Sequence, residues 1–167
     1  SILNIVNIIK ESADLRWALL LDLLTQMKAK NISPNLGTMN ACLNTISMMG
    51  TMHAREYANR ILTEFKNAGI EPSLASYYFV LQIFCRERGP ISHVLVDILN
   101  TIEGKEFEMR DIRDTLFFVT AMDNCRNHLF DPNLAKRVDA LLHHGENYNL
   151  IGDSYKESAY YRNFFSI

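Results

Sequence analysis

Thr38-Met39-Asn40-Ala41-Cys42-Leu43-Asn44-Thr45-Ile46, residues 38–46, is the stretch that decides the fold. Within it Met39, Cys42, Leu43 and Ile46 stand at i, i+3, i+4 and i+7, the spacing that lines one face of an α-helix. Thirty-eight residues on, the same register holds Tyr77, Val80, Leu81 and Phe84, and a further 38 on, Thr115, Phe118, Val119 and Met122. A second stripe interleaves with the first: Leu20, Leu23, Leu24 and Met27, then Ala58, Ile61, Leu62 and Phe65, then Leu95, Ile98, Leu99 and Ile102. Two helical stripes in each period define stacked helix pairs, because one pair cannot bury its apolar face alone. The expected architecture is all-α: an α-α superhelix (solenoid) of about four helix pairs with a C-terminal capping helix.

Outward from that stretch, the breaks recur as well. Ile32 and Pro34 step to Ile70 and Pro72, again 38 residues apart. The first segment is expected to hold two helices, one to Lys10 or Glu11 and one capped by Ser12 that carries Leu15, Leu19 and Leu23 on its apolar face. Later helices are expected over residues 38–49, 52–67 (Thr51 as cap), 74–88, 91–103, 111–127 and 133–144, with Gly50 and Gly89-Pro90 as breaks. Asp131-Pro132 is a strong helix start, Asp as N-cap and Pro in the first turn. The repeats fall at about 1–35, 36–73, 74–110 and 111–144. After Gly145 the period is expected to stop, leaving 145–167 as a loop and a capping helix opened by Asp153 and rich in aromatic residues.

Composition narrows the function. The chain has 167 residues, 48% of them apolar, with seven Gly and four Pro, which fits long helices better than a turn-rich β fold. Ser1 in place of Met leads to the expectation of a piece of a longer chain. No apolar run approaches the ~20 residues of a membrane span, and no secretory signal is visible. Seventeen basic against nineteen acidic residues give a net charge of −2, without the basic excess that phosphate neutralisation demands of nucleic-acid modules. Cys42, Cys85 and Cys125 are widely spaced with no CxxC pair, and read as reduced, buried side chains rather than a disulfide or metal framework. Asn31-Ile32-Ser33 is a chance match to a glycosylation acceptor. The chain contains no Gly-rich phosphate loop, no HExxH and no GxSxG, so an enzyme is not expected.

The segment from Pro34 to Leu43 resembles the opening of a pentatricopeptide repeat, Pro-Asp-x-x-Thr-Tyr-Asn-x-x-Leu, and the match continues through Gly50, Ala58 and Gly69-Ile70-Glu71-Pro72. The repeat here is three residues longer than the family's usual thirty-five or so, the excess lying between Gly50 and Ala58. More narrowly, residues 69–77, the layout of pairs and the ending Tyr160-Tyr161-Arg162-Asn163-Phe164-Phe165 are similar to the pentatricopeptide-repeat family of the mitochondrial small ribosomal subunit. The resemblance implies a mitochondrial location, assembly with small-subunit ribosomal proteins, a place near mRNA entry, and contact with small-subunit rRNA or mRNA. From the residues themselves, no cofactor, no metal, no membrane and no small-molecule substrate are expected.

Family members that read RNA offer two side chains per repeat to one base. Carried over, Asn40 and Ser73 form one such pair. Tyr78 with Arg110 in the third repeat supplies a stacking ring and a cation, and Ile2 with Asn35 in the first cannot read a base edge. Asn40 equally suits a helix-terminal hydrogen bond. Arg86, Arg88 and His93, with Lys136 and Arg137, read either as a solvated face or as phosphate contacts. His143 and His144 fit a helix C-terminus, and Asp111 and Asp114 a helix N-terminus rather than a metal site. The aromatic tail either covers the last pair, on Ala135, Val138 and Leu142, or turns Tyr160 and Tyr161 outward to dock a neighbour. A helical scaffold that binds only proteins, as tetratricopeptide arrays do, is the alternative function; the neutral charge favours it and Thr38-Met39-Asn40 disfavours it.

Overall fold

In the computed structural model the described residues are 2–50, 52–85, 92–151 and 154–167, with side chains described over 13–50, 52–84, 93–151 and 157–167. Among them every regular element is helical, in eight α-helices, one π turn and one 3-10 turn. They fall into two compact units, residues 1–72 and 73–167.

The first unit contains α1 (Ile2–Ala29), α2 (Leu36–Ser47) and α3 (Ala54–Asn67). α2 and α3 pack as a pair. Met39, Cys42, Leu43 and Ile46 are buried on one, as read from the sequence; on the other Ala58, Ile61 and Phe65 of the expected stripe are buried, with Ala54, while Leu62 is half-buried. Each fully buried Leu, Ile or Phe side chain contributes roughly 1.5–3 kcal/mol. α1 departs from expectation in two ways. It runs unbroken through Ser12, since no Gly or Pro stands before residue 34 to interrupt it. Its buried face is Ala13, Trp17 and Leu20, while Leu15, Leu19 and Leu23 are exposed. Leucine surrounds this helix, so the large apolar area of Trp17 sets the rotation. The indole stacks on Tyr57 of α3 (ring centroids 4.2 Å apart, planes 11° apart), the Arg60 guanidinium lies over it, and the Tyr57 hydroxyl donates to Asp14.

Two of this unit's helix ends obey the same backbone rule. Asn31 and Gly69 adopt φ of 56° and 83°, and the next N–H reverses onto the helix: Ile32 donates to the Met27 carbonyl, Ile70 to that of Phe65. This is the Schellman closure, in which a left-handed residue and an apolar residue after it satisfy the last carbonyls.

The second unit comprises α4 (Leu74–Cys85), α5 (Ser92–Ile102), α6 (Ile112–Asn124), a π turn (Cys125–Leu129), α7 (Pro132–Leu142), a 3-10 turn (Asn147–Leu150) and α8 (Ser154–Phe164). The first helices α4 and α6 pack side by side, as do the second helices α5 and α7. Arg137 of α7 straps the latter, donating to Glu103 at 2.6 Å and to Asn100 at 2.7 Å. Asn147 is buried and satisfies three backbone groups, accepting from the Phe107 N–H and donating to the Lys105 and Leu141 carbonyls.

The tail differs from the sequence reading. α8 packs chiefly against α6, not on the stripe of α7. It lies beside α6 as a next first helix would. Ile46, Phe84, Met122 and Tyr160 follow one another at 38-residue steps, and all four are buried. α6 is therefore covered by α4 on one side and α8 on the other, which explains why Phe117 and Ala121 are buried beside the expected Phe118 and Met122.

Candidate nucleic-acid interface

Three capping boxes build the starts of α2, α4 and α6, and they repeat at 38-residue steps. Asn35 accepts from the Thr38 N–H while Thr38 Oγ1 accepts from the Asn35 N–H. Ser73 and Ser76 exchange the same pair of bonds. Asp111 and Asp114 form the third box. Each box satisfies two of the N–H groups a helix start leaves unpaired. In the third the reach is longer: Asp114 accepts from Arg110 and Asp111 N–H (both 3.0 Å) and, across to α4, from the Ala75 N–H at 2.9 Å. A buried carboxylate thus joins the starts of two successive first helices. The sequence carried this signal as polar residues three apart, at 35/38, 73/76 and 111/114.

The candidate RNA-reading residues sit around these starts. Asn40 lies in α2, half-buried, and belongs to the first unit; Ser73 opens the second, and its hydroxyl lies 3.2 Å from that of Ser76 within the cap. Tyr78 is half-buried in α4 with its ring edge-on to Phe79, 5.4 Å between centroids. Arg110 is exposed and its guanidinium pairs with Glu108 at 3.3 Å. Arg86 and Arg88, with Gly89-Pro90, lie outside the described residues, as do Thr51 and Asp153. His93 and Lys136 are exposed. Arg113 pairs with Asp111 at 3.0 Å and lies over the Phe79 ring. Arg137 holds Glu103 below the usual carboxylate range through its hydrogen bond, though both are too exposed for the pair to stabilise much. His143 caps α7, its ring on the Asp139 carbonyl.

Of the candidate docking residues, Tyr160 is fully buried and its hydroxyl donates to Asp139 at 2.9 Å. An outward-facing Tyr160 is therefore corrected: the ring fills the space beside α6, and burial pushes its phenol pKa far up. Tyr161 is half-buried, stacked on the exposed Phe165. Burial raises the Cys42 thiol to about 11 and the Cys125 thiol to about 12. Among the described residues no cluster of three His, Cys, Asp or Glu could hold a metal ion, and no helix is long and apolar enough to cross a membrane.

Packed helix pairs with recurring caps define the class: an α-helical repeat protein. No protein-family model matches the chain. The small ribosomal subunit protein mS39 of Drosophila melanogaster is 56% identical over 168 residues, covering the whole chain and 26% of that protein. The mS39 proteins of Danio rerio and Bos taurus are 40% and 39% identical over 91% of the chain, which covers 23% and 22% of them. The chain is homologous, along its whole length, to a segment of the mitochondrial small ribosomal subunit protein mS39 family. It spans about a quarter of the length of these relatives. A mitochondrial location goes with that homology.

Proposed function

We propose that the chain forms part of a structural, non-catalytic subunit of the small mitochondrial ribosomal subunit, near where mRNA enters, with small-subunit proteins and RNA as its partners. The observation that carries this reading is the 56% identity over the full chain to a protein named for that subunit. The domain plan that accompanies it is four repeats over 1–144 closed by residues 145–167. Asn40, Tyr78 and Arg110 are the candidate RNA contacts within the described residues, with Tyr78 as a stacking ring and Arg110 as a phosphate partner once released from Glu108. Arg86 and Arg88 would extend them, and Tyr161 would meet a protein neighbour. The cap bonds of Ser73 argue against base reading by that residue, so RNA contact here is independent of sequence. Sucrose-gradient sedimentation of mitochondrial ribosomes tests the main claim: the protein is expected in the small-subunit fractions, and its absence from them overturns the assignment.

A second reading, a scaffold that touches proteins alone, is favoured by the net charge of −2 and by the pairing of Arg110, Arg113 and Arg137 with carboxylates. Ultraviolet crosslinking within the intact subunit separates the two. RNA crosslinked to Tyr78 or Asn40 supports the first reading, and crosslinks to protein alone support the second.

A further inference from the structure

In the second unit the second helices α5 and α7 are joined by a strap, in which the Arg137 guanidinium donates to Glu103 and Asn100. The repeat register gives the equivalent positions in the first unit. Buried Ala58, Ile61 and Phe65 of α3 stand 77 residues before buried Ala135, Val138 and Leu142 of α7, which sets Arg60 at the place of Arg137. Leu20, Leu24 and Met27 of α1 stand 75 residues before Leu95, Leu99 and Ile102 of α5. That step sets Lys28 at the place of Glu103 and Thr25 at that of Asn100. Where the second unit has a cation and a carboxylate, the first has two cations.

The place of the missing strap is an open groove of about 770 Å³ between α1 and α3, lined by Thr25, Lys28 and Arg60. Its base is buried Ile61 and Phe65, and half-buried Leu21 and Leu24 with exposed Ile32 give it an apolar wall. Arg60 is held over the Trp17 ring, 5.9 Å from its centroid, and Lys28 is exposed. Among the described residues neither stands in an ion pair. Two such cations beside an apolar wall are complementary to a carboxylate carried on an apolar surface. Glu64 lines the same groove and leaves it one net positive charge, which suits a single carboxylate and not a run of phosphates. We propose that this groove receives an amphipathic helix of a neighbouring protein. The helix lays its apolar side on Leu21, Leu24 and Ile32 and sets an Asp or Glu between Lys28 and Arg60, the carboxylate that Glu103 provides within the second unit. That the neighbour is a small-subunit protein rests on the function proposed above.

Lys28→Glu, which returns a carboxylate to the place of the strap, tests the proposal in two measurements. Its melting temperature should equal or exceed that of the unaltered chain, because Lys28 is exposed and a partner for Arg60 is gained. A lowered one overturns the equivalence with Arg137 and Glu103. In the full-length protein in mitochondria, a photo-crosslinking residue in place of Thr25 should join one defined protein, in a helical segment beside an Asp or Glu. That crosslink should fall roughly tenfold with Lys28→Glu, persist with Lys28→Arg, and be lost when the partner's acidic residue is changed to Lys. Crosslinking to RNA, crosslinking to no macromolecule, or a protein crosslink indifferent to Lys28→Glu overturns the proposal. Whether the crosslinked species sediments with the small subunit reports separately on the ribosomal reading.

Discussion

At Asp114 a single buried carboxylate accepts three backbone N–H groups, from Ala75, Arg110 and Asp111. Removing it leaves those donors inside the protein without an acceptor. Asp114→Ala is expected to destabilise the second unit by roughly 3–5 kcal/mol, and Asp114→Asn by less because one oxygen remains. Urea titration measures both, and two variants within about 0.5 kcal/mol of the parent would contradict the clamp. The buried thiols give a second test. With Cys42 raised to about 11 and Cys125 to about 12, both are protonated and sheltered at pH 8. Iodoacetamide should modify neither until the chain is unfolded, as mass spectrometry of the two peptides would read. The sign of the pH effect follows. A thiol in the unfolded chain ionises near 9 while the buried one stays neutral. The associated stability is therefore full below pH 9 and is lost as pH rises toward 11–12.

Among the elements, α8 shows how much of the fold was legible beforehand. The 38-residue stripes located the buried faces of α2, α3 and α5, which are apolar chiefly on one side, and part of that of α4, which is apolar nearly all round and buries Phe79 and Ile83 as well. α1 was misread because leucine lies on all its sides, and only contact with Tyr57 selects the Trp17 face. The caps were visible in the sequence as pairs of polar residues three apart, but Thr38 there reads as a helix start, and only its bond to Asn35 moves the start back. The reach of Asp114 to Ala75 was not legible, since it depends on which helices lie side by side. For the tail, one residue three periods into a series, Tyr160, carried the message that α8 sits beside α6. Tyr160→Ala is accordingly expected to cost about 3–5 kcal/mol, and Phe165→Ala, whose ring is 75% exposed, under about 0.5 kcal/mol. Thermal melting of the two variants distinguishes this arrangement from one in which the terminal phenylalanines hold the tail. At the start of α2, Thr38→Val should cost about 1 kcal/mol by breaking the box with Asn35.

For the whole molecule, the charge balance outweighs the repeat motif. Seventeen cations against nineteen anions give no basic excess to draw phosphate, and Arg110, Arg113 and Arg137 are paired to carboxylates. RNA binding by this chain alone should be weak and indifferent to sequence. Its salt dependence should be far shallower than the roughly 10³–10⁵ loss between 50 and 200 mM that 6–10 phosphate contacts produce. Fluorescence anisotropy with several oligonucleotides measures this, and tight, selective binding at physiological salt would refute it. The left-handed stops after the second helices have a different bearing, on how such a chain tolerates change in length. Asn31, Gly69, Gly104 and Gly145 end them at unequal intervals, 38, 35 and 41 residues. A residue inserted inside a helix turns everything beyond it by about 100°, moving the buried stripe off its partner. One inserted between a stop and the next cap rotates nothing, because both ends are fixed by their own backbone bonds. Gains and losses of single residues should therefore survive at these junctions and be purged from the helices, letting the spacing of repeats drift while their packing stays the same.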